Sequence, residues 1–175
     1  GITDIDTTDI EYAKAQGLKI KLLASSRKTE HGIWAMVAPM LVSAENMLYN
    51  VEGVLNAIYV HGNALGDAIF YGSGAGSLPT ASAVAGDIIT IARSLDRTLP
   101  SDWTGEELEL MPTDDIEHAF FVRFAGSEEE AKAVFGDIAP VRLDNVDGEF
   151  GFMTAVMTEK AFRECSEKAG KVIKS

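Results

Sequence analysis

A single cysteine, Cys165, is all the thiol chemistry in these 175 residues. That excludes an internal disulfide framework and any multi-cysteine metal site, and it fits a reducing compartment, so a cytoplasmic location is expected. No Lys/Arg cluster relieves a formal net charge of −12, which argues against nucleic acid or an anionic membrane surface as a partner. No run is apolar enough to cross a bilayer. Residues 68–86 carry no charge, but Gly, Ser, Thr and Pro interrupt them too often for a spanning helix. Internal repeats, low-complexity tracts and a cationic start followed by an apolar signal region are also missing. The chain opens on Gly1 in mid-pattern, and the strand-like Lys171-Val172-Ile173-Lys174 breaks off at Ser175, so both ends read as cuts from a longer protein.

The residues present suit a folded α+β protein. Hydrophobic residues make up 46% and charged ones 24%, the ordinary globular mixture. Charge is shared unevenly: residues 1–95 sum to −3 and residues 96–175 to −9. The expected organisation is a first unit over 1–95, an acidic linker over 96–117 punctuated by Pro100, Gly105 and Pro112, and a second unit over 118–175. A short helix is expected within the linker near 105–110.

In the first unit, Thr8 and Glu11 have capping-box spacing for a helix running to about Gln16, stopped by Gly17. Residues 18–24 alternate as a strand, and a second strand spans 33–38, halted by Pro39. Residues 54–60 and 68–71 flank His61-Gly62-Asn63 as a hairpin. Residues 80–95 form a helix with Ala83, Val84, Ile88, Ile91 and Leu95 along one apolar stripe. The second unit reads as a strand over 118–124, a helix over 128–135 capped by Ser127 and Glu130, and a strand over 138–143. An Asp147-Gly148 turn, a strand over 149–157, a helix opened by Thr158 and a final truncated strand follow. This βαββαβ order is that of the ferredoxin-like fold, an antiparallel sheet with two helices on one face.

The segment Tyr71-Gly72-Ser73-Gly74-Ala75-Gly76-Ser77-Leu78-Pro79-Thr80 is the richest in possible chemistry. Glycines at alternate positions let backbone approach a ligand, and the following helix start favours negative charge. The same glycines also serve a tight strand-to-helix turn, and spacing does not separate the two uses. The pattern is not the G-x-G-x-x-G dinucleotide fingerprint, because the third glycine comes one residue early. Between Gly53 and Gly86 the only formal charge is Asp67, which points to a region covered by protein, either as an ordinary buried sheet or at an oligomer interface. His31, His61 and His118 lie far apart, with no zinc or Ser-His-Asp pattern. Asp4, Asp6 and Asp9 read as favourable charge at a helix start rather than as a metal site. Cys165 and the aromatic stretch 118–124 read as packing.

Taken in order, Gly1-Ile2-Thr3-Asp4-Ile5, Asp9-Ile10, Ile20-Lys21-Leu22-Leu23, the run Asn50-Val51-Glu52-Gly53-Val54-Leu55-Asn56-Ala57, then Gly72-Ser73-Gly74-Ala75-Gly76, Pro79-Thr80-Ala81-Ser82-Ala83-Val84 and Asp87 resemble homoserine dehydrogenase. The resemblance covers residues 1–95 and implies NAD(P)-dependent interconversion of L-homoserine and L-aspartate 4-semialdehyde, in the route to threonine, methionine and isoleucine. It implies that the cofactor domain and the catalytic lysine precede Gly1, so no catalytic residue is assigned on this chain, the fragment alone is expected to be inactive, and no cofactor is expected bound to it. Gly72, Gly74 and Gly76 inherit contact with the nicotinamide end of the cofactor, and the surrounding sheet belongs to the substrate and dimerisation domain, implying a homodimer or larger homo-oligomer. Residues 118–175 are similar in element order to the ACT-like regulatory domain of many members, although Ala125-Gly126-Ser127-Glu128 lacks the Asp-x-Pro-Gly turn common beside the amino-acid ligand. The alternative reading is an amino-acid-sensing or subunit-assembly module without catalysis.

Overall fold

The computed structural model describes residues 2–97, 105 and 107–174. It is a mixed α+β fold with small antiparallel sheets, and its elements follow local signals closely. Helix α1 (Thr7–Ala15) starts on a capping box, but the box is Asp6 with Asp9 rather than the expected Thr8 with Glu11. Gly17 stops it as expected, at φ +70, with Leu18 N–H donating to the Ala13 carbonyl. Strands β1 (Lys19–Thr29) and β2 (Gly32–Val42) pair as a two-stranded sheet across Glu30-His31. Pro39 lies inside β2 and does not end it. A two-stranded sheet leaves each strand one unpaired edge, where the missing N–H of proline costs no ladder bond.

Strands β3 (Leu55–Gly62) and β4 (Gly66–Ser73) form the expected hairpin, in register from Leu55 opposite Ser73 to Gly62 opposite Gly66. Helix α2 (Ser77–Arg93) follows. Next comes a 3₁₀ turn at Thr113–Asp115, then β5 (Glu117–His118), β6 (Phe121–Phe124), α3 (Glu128–Phe135), β7 (Phe150–Met153), β8 (Met157–Thr158), α4 (Glu159–Ala169) and β9 (Val172–Lys174). The strands expected over 118–124 and 149–157 are each broken in two. Thr154 breaks them: its hydroxyl accepts from Phe120 N–H and donates to the Ala155 carbonyl, displacing one rung of the ladder. The strand expected over 138–143 is reduced to a single bridge, Val141 with Gly151. The remaining sheet has the order β7-β6-β9, with both neighbours antiparallel to β6.

Period-two alternation along β6 explains how this sheet is covered. Val122 and Phe124 turn to one face and meet Phe135 of α3, Phe162 of α4, and Phe150 and Phe152 of β7 in a closed aromatic core. Phe121 and Arg123 turn to the other face, where α1 lies. The Tyr12 ring sits 5.7 Å from Phe121, and both rings press so closely on Gly151 that a Cβ there would lie 2.8 Å from Phe121 and 2.9 Å from Tyr12.

The compact units are accordingly Gly1–Leu41 with Glu107–Ser175, and Val42–Glu106. The first of these units is not consecutive in sequence, because α1 lies against the C-terminal sheet. The expected linker is likewise partly structural. Met111 N–H donates to the Ile33 carbonyl at 2.8 Å, Leu110 bridges Ile33 in parallel, and Ile116 is buried. Residues 107–109 are not helical, contrary to the helix expected near 105–110. Residues 98–104 and 106 of that linker lie outside the described residues.

Candidate functional site

The glycine segment joins β4 to α2. The hairpin ends at Ser73, opposite Leu55; Gly72 faces Asn56 across the ladder; Gly76 is the N-cap of α2 at φ +114. Two of the three glycines meet a constraint in the structure, each a different one. Gly76 needs a backbone conformation that side chains disfavour. At Gly74 the constraint is space, since an added Cβ would lie 2.7 Å from Asn56 Nδ2 and 3.1 Å from its Cγ. Gly72 opens on free space, with nothing within 4 Å of a Cβ position. The turn thus presents bare backbone at all three positions immediately before a helix of 17 residues. No acidic residue stands in the first turn of α2, and the N-cap supplies no side-chain acceptor, so its leading N–H groups keep their positive potential.

The apolar stripe expected on α2 is present but not covered within the described residues. Val84, Ile88 and Ile91 are exposed, as are Leu95 just beyond the helix and Ile58 and Phe70 on the hairpin, and α2 has no buried residue. The protein cover inferred from the scarcity of charge over 53–86 is therefore not supplied within the unit Val42–Glu106.

Asp67 has its own partners on the hairpin. His61 stands directly across from it, with Nδ1 2.5 Å from Asp67 Oδ1, and Tyr59 O–H donates to the same oxygen at 2.6 Å. The His61 and Tyr59 hydrogen bonds hold the Asp67 carboxyl below its ordinary pKa, while that bond pushes the Tyr59 phenol up. The sequence reading passed over this trio, although hairpin register alone pairs 61 with 67 and puts 59 on the same face.

His31, His61 and His118 are not brought together. Among the described residues no group of three or more His, Cys, Asp or Glu side chains could hold a metal ion. Asp6 and Asp9 serve the start of α1 and also bind Arg123, whose Nη1 donates to both carboxylates while Nε and Nη2 grip Glu149. Lys174 Nζ lies 3.0 Å from Asp9 and 3.2 Å from Asp6. Asp9 N–H, then Lys174 and Arg123, hold the Asp6 carboxyl well below the carboxylate range against the opposing effect of burial. Burial disfavours the Arg123 charge, but Glu149, Asp9 and Asp6 outweigh it and its pKa is raised. Cys165 is half-buried, with its Sγ 3.7 Å from the Val134 carbonyl, a packing position.

The homoserine dehydrogenase family model matches residues 1–89, which include the whole glycine segment. A homoserine dehydrogenase of Helicobacter pylori is 41% identical over 145 residues, spanning 83% of this chain and 34% of the relative. One from Mycobacterium bovis is 34% identical over 173 residues, spanning 95% of this chain and 35% of the relative. Among solved structures, a homoserine dehydrogenase from Thiobacillus denitrificans superposes with a TM-score of 0.83 at 28% identity, over all of this chain and 45% of that one. One from S. aureus superposes with a TM-score of 0.73 at 33% identity, over 99% and 45%. This chain thus spans about a third of the curated relatives' length. It belongs to the homoserine dehydrogenase family.

Proposed function

We propose that the chain is the C-terminal part of an NAD(P)-dependent homoserine dehydrogenase, and that Gly72, Gly74 and Gly76 line the nicotinamide end of the cofactor. The observation that carries this reading is the bare backbone of the turn between β4 and α2, inside the stretch that matches the family. Its residues fit a flat ring: no side chain projects at 72, 74 or 76, and the space beside Gly72 is open. When bound, a nicotinamide supplies the hydride acceptor for oxidation of L-homoserine to L-aspartate 4-semialdehyde. The residues of this chain hold the ring end in place and keep side chains away from it. Proton transfer at the substrate hydroxyl is assigned to groups in the part of the relatives that this chain does not span. The fragment by itself is accordingly inactive, and the whole protein is cytoplasmic.

The exposed apolar stripe of α2 and the β3–β4 hairpin support assembly as a homodimer or larger homo-oligomer. A second role, as an ACT-like unit, is favoured by the β7-β6-β9 order, by α3 and α4 sharing one face, and by the Val141–Gly151 bridge at the position of a fourth edge strand. Heat on titration with threonine, methionine, isoleucine or lysine would establish sensing. No heat with any of them would leave assembly as that unit's role.

The test of the main reading is homoserine-dependent NAD(P)H formation by the whole protein, with wild-type sequence and with Gly74→Val. A valine at 74 collides with Asn56 and obstructs the turn, so cofactor affinity is expected to fall about tenfold or more. Unchanged affinity and turnover in a folded variant would remove the loop from the cofactor site.

A further inference from the structure

Asn56 is the side chain that meets the glycine turn. It stands opposite Gly72 in the ladder, and its carboxamide reaches on to Gly74, so closely that a Cβ there would lie 2.7 Å from Nδ2. The amide is tied in that place: Nδ2 donates to the Val54 carbonyl at 3.2 Å. Gly74 has no left-handed φ, so backbone conformation does not demand glycine at this position. What a Cβ at 74 would meet is the exposed Asn56 amide.

We infer that Asn56 is a positioning residue for the cofactor-contacting turn, its carboxamide acting as the template against which the backbone at Gly74 is set. The inference rests on the reading of that turn as the nicotinamide contact, and it assigns a cause to one of the glycines: a side chain at 74 has to displace the Asn56 amide from its place against the turn. A surface that fits backbone this closely fixes the turn without touching the ligand itself.

The consequence is coupling between positions 56 and 74. In the whole enzyme, NAD(P)H affinity is measured by fluorescence titration for wild type, Asn56→Ala, Gly74→Ala and the double variant, together with KM for homoserine. Asn56→Ala is expected to loosen the turn and raise the Kd for NAD(P)H about fivefold, leaving KM for homoserine unchanged. Gly74→Ala is expected to raise Kd about tenfold when Asn56 is present, and about twofold or less when alanine at 56 has removed the colliding amide. An equal penalty from Gly74→Ala in both backgrounds would overturn the role of Asn56 while leaving the turn in the cofactor site. No penalty from Gly74→Ala in either background would overturn the cofactor reading itself. Should Gly74→Ala compromise folding, Asn56→Ala is tested alone by hydrogen exchange over residues 72–76. Faster exchange with weaker NAD(P)H binding supports the template, and unchanged exchange and Kd refute it.

Discussion

Replacing Arg123 by alanine tests how the first helix is bound to the C-terminal sheet. The guanidinium donates to Glu149 through Nε at 2.8 Å and Nη2 at 3.1 Å, and through Nη1 to Asp9 at 3.0 Å and to both Asp6 oxygens at 3.0 and 3.1 Å. The side chains of Arg123, Asp9 and Glu149 are 9%, 5% and 8% exposed, so two of the three carboxylates are buried. Removing one partner of a buried pair costs about 3–5 kcal/mol, because the other charge is left without compensation. Lys174 remains for Asp6 and Asp9 and moderates the loss on that side, while Glu149 loses both donors of the fork. Loss of the guanidinium's contact with the Tyr12 ring, 6.0 Å away, adds to it. The expected loss is a large share of the roughly 5–15 kcal/mol that stabilises a typical domain. The pH dependence has a definite sign. Asp6 has a depressed pKa in the fold, so its contribution is complete above the ordinary carboxyl pKa and disappears as pH falls through the folded value. In the variant, Asp6 loses the part of that depression which Arg123 supplies, so its carboxyl takes up a proton at a higher pH than in the wild type. The part of the Arg123→Ala deficit carried by Asp6 is therefore complete at neutrality and should shrink as pH falls below about 4. Urea denaturation followed by near-ultraviolet circular dichroism of the aromatic core measures both effects. A deficit under about 1 kcal/mol, the value of an exposed ion pair, or one that does not shrink below about pH 4, refutes the reasoning.

Gly151→Ala places a methyl between the Tyr12 and Phe121 rings at 2.9 and 2.8 Å, and overpacking of this kind costs about 1–3 kcal/mol, measured by the same denaturation. A change within error would mean that α1 moves freely away from the sheet. Tyr59 is expected to ionise above a free tyrosine because its proton is held by Asp67, and Asp67→Asn should bring that titration down, as followed by phenolate absorbance. No difference between the two titrations would show that the hydrogen bond does not persist in solution.

Signals contained in a few consecutive residues were readable. Ser127 with Glu130, Thr158 at the head of α4, Gly17 after α1 and the β3–β4 hairpin stand where their chemistry put them. The errors arise where a distant residue decides. Two overlapping boxes, Asp6 with Asp9 and Thr8 with Glu11, have the same spacing, and the first is also fastened by Arg123 and Lys174 from the far end of the chain. Thr154 splits two strands because of a hydrogen bond to Phe120, 34 residues away. In the candidate site, the three glycines were visible as a motif, but the role of Asn56 needed the hairpin register and the nearness of its amide to Gly74.

Arg123 illustrates why a compact unit that is not consecutive in sequence is hard to read from composition. Within His118-Ala119-Phe120-Phe121-Val122-Arg123-Phe124 the aromatic residues announce a buried strand, and a strand covered on one face only would leave Arg123 in water. Its neighbours Val122 and Phe124 already fill the helix-covered face, so the burial of Arg123 means that the opposite face is covered as well. A cation there requires carboxylates, and they must come from outside the strand. Glu149 comes from beside β7, while Asp6 and Asp9 come from the acidic helix start that composition had assigned to another unit. Charge sums over halves of the chain cannot see this, because the pairing that joins the halves cancels within it. The same ion network explains why α1, at the head of the family-matched stretch, packs with the C-terminal sheet.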